Sequence, residues 1–126
     1  MSELIDPMTD KTHDSPDGTL PHAQAIRLTD LLAIEPSAVV SRVLLRRKTG
    51  NITLFAFDRG QGLSEHTAPF DAYVQVLDGE LELTIGGTPV RAVAGEAVVM
   101  PANVPHALLA LAPLKMLLVM IREPAT

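Results

Sequence analysis

The sequence contains no cysteine and no tryptophan, and its 126 residues include only three phenylalanines and one tyrosine. Without cysteine the protein has no disulfide bridge, no thiolate metal ligand and no cysteine nucleophile. Because aromatic side chains are scarce while 47% of the residues are hydrophobic, aliphatic side chains must fill most of the interior. A chain of this length is typical of one domain with one core.

Long apolar runs are also absent. No run is longer than Met116–Ile121, which has the length of a buried strand and falls far short of the roughly 20 residues that span a bilayer. The first residues lack the basic start and apolar centre of a secretory signal. These features predict a cytoplasmic protein with no membrane partner.

Negative charge is concentrated at the start of the chain. The formal net charge is −5, and residues 1–24 hold five acidic residues against one lysine, so the remainder is nearly neutral. A nearly neutral domain lacks the positive field that attracts nucleic acids, which argues against a nucleic-acid partner. Residues 1–24 also lack apolar periodicity. We therefore expect a flexible acidic tail at residues 1–24 and a single domain at residues 25–126.

From Ser37 onward the pattern indicates about eight short strands. The run Glu80–Ile85 alternates polar and apolar residues, so its three aliphatic side chains share one face. Glycine, proline and asparagine separate the runs, as in all-β sandwiches and barrels. One short helical turn is expected before the strands, with Thr29 as its N-cap and Pro36 at its end.

Two sets of residues on these strands have the spacing of a known pair of motifs. They are Gly60, His66 and Gly79 in the first and Gly95, Pro101 and His106 in the second. These motifs resemble those of the cupin family, written G-x5-H-x-H-x3-4-E-x6-G and G-x5-P-x-G-x2-H-x3-N, with Asn103 at the middle glycine of the second. The resemblance implies a small RmlC-like jelly-roll β-barrel, also called a double-stranded β-helix, from a bacterial subgroup of unknown function.

The same resemblance identifies candidate metal ligands and shows that the set is incomplete. Metal-binding cupins use the two histidines and the glutamate of the first motif and the histidine of the second. Carried over by position, these are His66, Ala68, Ala72 and His106, so only the two histidines can bind a metal. The implied cofactor is a divalent transition metal (Fe, Mn, Ni or Zn), held with water or substrate in the open positions.

Nearby polar residues offer no clear replacement for the missing ligands. If Ala72 faces the barrel interior, strand alternation turns Asp71 and Gln75 away from it. A bulge near Pro69 would change that register. The expected pocket is small and aliphatic around two histidines, and its lining is His66, Ala68, Ala72, Val74, Val76 and His106.

These residues predict a small-molecule-binding cupin that holds a metal weakly, and they leave open whether it catalyses a reaction. One alternative is a metal-dependent oxygenase or isomerase in which substrate or water completes the metal shell. Another is a non-catalytic metabolite sensor or interaction module. Because the last strand is apolar on both faces, we also expect a homodimer formed through this strand and the N-terminal strands.

Overall fold

Nine β-strands form two antiparallel sheets in the computed structural model, which describes residues 17–124. The sheets have the strand orders β1-β2-β9-β4-β7 and β3-β8-β5-β6, and they enclose the core as a jelly-roll barrel. The predicted all-β jelly-roll barrel is therefore confirmed. The strand bounds are Val39–Arg47 (β1), Gly50–Phe57 (β2), Gly62–His66 (β3), Asp71–Asp78 (β4), Glu80–Ile85 (β5), Thr88–Val93 (β6), Ala97–Met100 (β7), His106–Ala110 (β8) and Leu114–Ile121 (β9).

The core lies between the two sheets and follows from the alternation in the sequence. On β4, Val74 and Val76 are completely buried while their neighbours face outward, and on β5 the same holds for Leu81 and Leu83. Nine strands are present where about eight are predicted, and the loop at residues 67–70 separates β3 from β4.

The helical turn exists, but its predicted cap is wrong. A 3₁₀ turn spans Leu28–Asp30, so Thr29 lies inside it, and Arg27 occupies the N-cap position without a side-chain hydrogen bond. Lys115 on β9 donates a hydrogen bond from Nζ to the carbonyl oxygen of Thr29, at 2.6 Å. A contact with the barrel therefore holds this turn in place of a cap.

The segment before this turn is joined to β1 by two hydrogen bonds. The backbone N–H of Leu20 donates to the carbonyl oxygen of Leu44 at 2.9 Å, and Arg42 Nε donates to the carbonyl oxygen of Gly18 at 2.9 Å. Most of the predicted tail, residues 1–16, lies outside the described residues, so the boundary at residue 24 stays a prediction. Between residues 17 and 124 no helix is long and apolar enough to cross a membrane.

Two glycines with nearly equal backbone angles allow steric crowding to be separated from backbone strain. Gly79 and Gly95 have φ of 93° and 90°. An added Cβ at Gly79 would collide with the carbonyl oxygen of Pro113, whereas one at Gly95 would meet nothing within 4 Å.

We predict that Gly95→Ala lowers the free energy of unfolding by about 1–2 kcal/mol, the cost of a left-handed conformation for an L-residue. Gly79→Ala should lower it by clearly more, because the backbone at Pro113 must also move. Urea unfolding of both variants measures the difference. Equal losses would show that the close approach at Gly79 is not a constraint.

Candidate functional site

A β-bulge turns His66 towards the barrel interior. In the pairing of β3 with β8, Leu63 lies opposite Leu108 and His66 lies opposite His106. Three residues on β3 therefore span the distance that two residues span on β8, which leaves one extra residue on β3. Without this bulge, simple alternation from Leu63 would direct His66 outward. The bulge falls at residues 64–65, before the position near Pro69 that the sequence suggests.

The bulge brings the two predicted histidines into direct contact at the mouth of the barrel. Their Nε2 atoms lie 3.1 Å apart, and the rings meet edge to face with centroids 4.3 Å apart. His106 is buried, with 4% of its surface exposed, whereas His66 is exposed. One ring therefore faces the interior while the other remains accessible to solvent.

The second nitrogen of each ring is held by the backbone. His66 Nδ1 lies 2.8 Å from the carbonyl oxygen of Ser64, and His106 Nδ1 lies 3.1 Å from that of Val104. A carbonyl oxygen only accepts hydrogen bonds, so each Nδ1 carries a proton and donates. In the neutral rings both Nε2 atoms then have a free electron pair, and these two pairs converge. A metal ion at this point would interact favourably with both electron pairs.

Two loops joined by hydrogen bonds bring the two sequence motifs together. The backbone N–H of Asn103 donates to the carbonyl oxygen of Ala68 at 2.7 Å, and that of Ala102 donates to Asp71 Oδ1 at 2.9 Å. Asn103 has φ of 63°, a left-handed conformation that asparagine tolerates better than most residues. Asparagine can therefore replace the glycine of the cupin pattern here and still position the loop that leads into His106.

A cavity of about 50 Å³ adjoins the histidine pair. Ala68 and Ala72 border it, as the sequence suggests, whereas Val74 and Val76 lie further along β4, fully buried in the core. Each step of two residues moves a side chain about 6.6 Å along a strand, so the shared face of β4 soon leaves the mouth. The complete lining is Leu63, His66, Ala68, Phe70, Ala72, Met100, His106, Leu108, Leu118 and Met120.

Several lining residues carry no usable signal in the sequence. Leu118 and Met120 belong to β9, which is apolar on both faces, so alternation cannot tell which side chains face inward. Leu63 faces inward three residues before His66 only because of the bulge. The predicted outward direction of Asp71 and Gln75 is confirmed, since neither borders the cavity.

The histidine pair is suited to a metal ion only in part. Two ligands that are each about 2.1 Å from one ion lie about 3 Å apart at a right angle and about 3.4 Å apart at a tetrahedral angle, and the observed 3.1 Å lies within this range. Donation from Nδ1 to a carbonyl oxygen also orients metal-binding histidines. However, no group of three or more histidine, aspartate or glutamate side chains in residues 17–124 could hold a metal ion.

Comparison with known proteins identifies the family. A family model described as a cupin domain matches residues 53–120 of this chain. The chain belongs to the cupin family. No curated protein matches this cupin.

Solved structures similar to this cupin agree in fold. A conserved protein of unknown function from Streptococcus pyogenes is 39% identical, with 88% of this chain and 97% of that chain covered and a TM-score of 0.81. A Cupin 2 conserved barrel domain protein from Leptotrichia buccalis is 36% identical, with 75% and 46% covered and a TM-score of 0.72. A cupin superfamily protein from Desulfitobacterium hafniense is 25% identical, with 86% and 100% covered and a TM-score of 0.78. None of these descriptions names an activity.

We predict that Nδ1 of both His66 and His106 carries a proton in solution, because each faces a backbone carbonyl oxygen. Long-range ¹H–¹⁵N correlation spectra of the histidine rings measure this directly. His22, which lies on the surface outside the site, provides an internal reference. An unprotonated Nδ1 on either ring would contradict the orientation described above.

Proposed function

We propose that this cupin binds a small anionic molecule at the His66–His106 pair, together with a divalent transition metal ion held by the two Nε2 atoms. The observation that carries the proposal is the convergence of these two nitrogens at 3.1 Å while both Nδ1 atoms are engaged by the backbone. Imidazole nitrogen is a common ligand of zinc, iron, copper and nickel. We also propose that this cupin is a cytoplasmic protein.

The charge of the cavity supports an anionic ligand. Among the residues that line the cavity in the described chain there is no aspartate or glutamate. A divalent ion bound by two neutral imidazoles would therefore keep its full charge next to aliphatic side chains, which is unfavourable. A carboxylate or similar group on the ligand would neutralise that charge and occupy the open positions beside Ala68 and Ala72.

The size of the cavity limits what enters it. A volume of about 50 Å³ accommodates a metal ion and one or two water molecules, or the head group of a ligand. It is far smaller than the roughly 300 Å³ of a typical small-molecule pocket. Phe70 borders both this cavity and a neighbouring surface groove of about 230 Å³. We infer that a larger ligand places its polar end at the histidines and its body against Phe70.

A metal-dependent oxygenase or isomerase is the second candidate. The small side chains of Ala68 and Ala72 leave space at the metal for a substrate, as in catalytic sites that keep an open coordination position. A bound metal would supply a Lewis acid, and the protein would orient the substrate through the histidines and the apolar wall. Chemical change of the bound ligand distinguishes this candidate from a sensor, which releases its ligand unaltered.

We predict that malonate, a small dicarboxylate used as a probe, raises the Tm of the protein only when Zn(II) is present. A ligand that binds only the folded protein stabilises it by mass action. His66→Ala and His106→Ala should abolish both the Zn(II) binding and the malonate effect, because each removes one of two protein ligands.

The matched control is His22→Ala, which removes a histidine outside the site and should leave both effects intact. Calorimetric titration with Zn(II), with and without malonate, gives the affinities. Zn(II) binding that survives in both site variants, or no binding in the wild type, would refute the proposed metal site.

We also predict that restoring the missing ligands creates a strong metal site. The double variant Ala68→His/Ala72→Glu places an imidazole and a carboxylate on the cavity wall beside the existing pair. Its affinity for Zn(II) should rise by more than the roughly 10- to 100-fold that outer-shell contacts contribute, since four protein ligands replace two.

Ala68→His/Ala97→Glu is the matched control, because Ala97 lies on neighbouring β7 and is exposed. It should gain less affinity than the double variant in a competition titration with a chromophoric chelator. Equal gains would mean that Ala72 does not face the metal position.

A further inference from the structure

Arg122 directly follows β9 and continues the face of that strand that borders the histidine cavity. Leu118 and Met120 line the cavity, so the next position on the same face is that of Arg122. The backbone N–H of Arg122 donates to the carbonyl oxygen of Thr49 at 2.7 Å, which fixes the chain beside the turn between β1 and β2. Arg122 therefore lies one step of two residues, about 6.6 Å, beyond Met120 towards the mouth of the barrel.

Phe70 holds the corresponding position at the start of β4. Ala72 lies opposite Met120 in the antiparallel pairing of β4 with β9, and two residues further outward the two chains reach Phe70 and Arg122. The guanidinium carbon of Arg122 lies 5.1 Å from the centroid of the Phe70 ring, within the range of a cation–π interaction. Because Phe70 borders the cavity, its ring positions a positive charge at the cavity entrance.

The charge of Arg122 is not neutralised by a carboxylate among residues 17–124. No salt bridge joins its half-buried side chain to any described aspartate or glutamate. Asp71 and Glu123 are neighbours of Phe70 and Arg122 in sequence, but they line the surface groove and not the cavity. Strand alternation thus separates the two acids from the cation, and the cavity entrance is positively charged.

We propose that Arg122 is a specificity-determining residue that binds a second anionic group of the ligand, while the first anionic group lies at the His66–His106 pair. This inference rests on the proposed function and narrows its ligand class to a short dicarboxylate or a comparable dianion. A guanidinium group has five N–H donors in one plane and can form two parallel hydrogen bonds with a carboxylate. The edge of the group can therefore bind the ligand while its flat face stays on Phe70.

The spacing of the two ends favours a ligand longer than malonate. The first carboxylate occupies the open positions beside Ala68 and Ala72, and Arg122 lies about 6.6 Å further out, one step of two residues along the strands. Glutarate has three methylene groups between its carboxylates and matches this spacing better than malonate, which has one. The methylene groups would lie against the apolar side chains of Phe70 and Met120.

The surface groove is a poor alternative for the second carboxylate. Its lining includes Asp71 and Glu123, and two carboxylates repel an anion. Asp71 Oδ1 also accepts a hydrogen bond from the backbone N–H of Ala102, at 2.9 Å. A dianion at the histidine pair would therefore direct its far end to Arg122, the cation at the cavity entrance.

The test uses the protein loaded with Zn(II) and two probes of equal chain length, glutarate and pentanoate, which differ only in the second carboxylate. In calorimetric titrations the wild type should bind glutarate about 10-fold more tightly, as expected of one hydrogen bond to a charged group. Arg122→Met should bind both probes with the affinity that the wild type has for pentanoate. Arg122→Lys keeps the charge without the paired donors, so it should retain part of the preference.

Arg47→Met is the matched control, because it removes the same charge from an exposed residue of β1 that does not border the cavity. It should keep the full preference for glutarate. An equal loss of preference in Arg47→Met and Arg122→Met would mean that the general charge of the protein is responsible, and the inference would be wrong.

The outcomes distinguish this inference from the proposed function. If pentanoate binds only with Zn(II) and glutarate binds no better, or if Arg122→Met keeps the preference, the inference is overturned while the proposed function stands. Binding of neither probe would refute the proposed function and this inference with it. Thermal unfolding without ligand shows whether each variant is folded, and Arg122→Gln replaces Arg122→Met if the latter is not. A role confined to stabilising the end of β9 would change the unfolding temperature and leave the preference for glutarate unaltered.

Discussion

Two imidazole nitrogens with free electron pairs converge at 3.1 Å, and much of the mouth of this barrel maintains that contact. The bulge on β3 turns His66 inward, and the loop that starts at Pro101 positions His106 opposite it. Backbone carbonyl oxygens hold both Nδ1 atoms and thereby direct both Nε2 atoms to one point. The result is a pair of convergent imidazole nitrogens within a mostly apolar wall, and this pair is the basis of the proposed cation site.

The alanines at positions 68 and 72 determine what this site is able to do. In a cupin with four ligands, protein atoms neutralise and enclose the metal. Here the same wall is aliphatic, so the positions that a histidine and a glutamate would fill are free, and the charge of a bound ion is not compensated by the lining. Affinity for a metal and affinity for an anionic ligand should therefore depend on each other, and each should be modest alone.

The sequence predicts the fold well because the relevant signals are local. Alternation on β5, glycine-rich turns and two spaced motifs each depend on neighbouring residues, and the family match agrees with them. The position of the bulge is not local, since the register of β3 is set by pairing with β8. For the same reason, the motif identifies His66 as a site residue, whereas strand alternation does not identify Leu63, three residues before it. Alternation also extends the pocket too far along β4, to Val74 and Val76.

The most direct test of the account is pulsed electron paramagnetic resonance of the protein loaded with one equivalent of Cu(II), which binds such sites more tightly than the other divalent first-row metals. Coupling to the remote nitrogens of two imidazole rings is expected, and the signal of one ring should disappear in His66→Ala and in His106→Ala. A spectrum from a single ring, or one that neither substitution alters, would contradict the claim that His66 and His106 form a shared cation site.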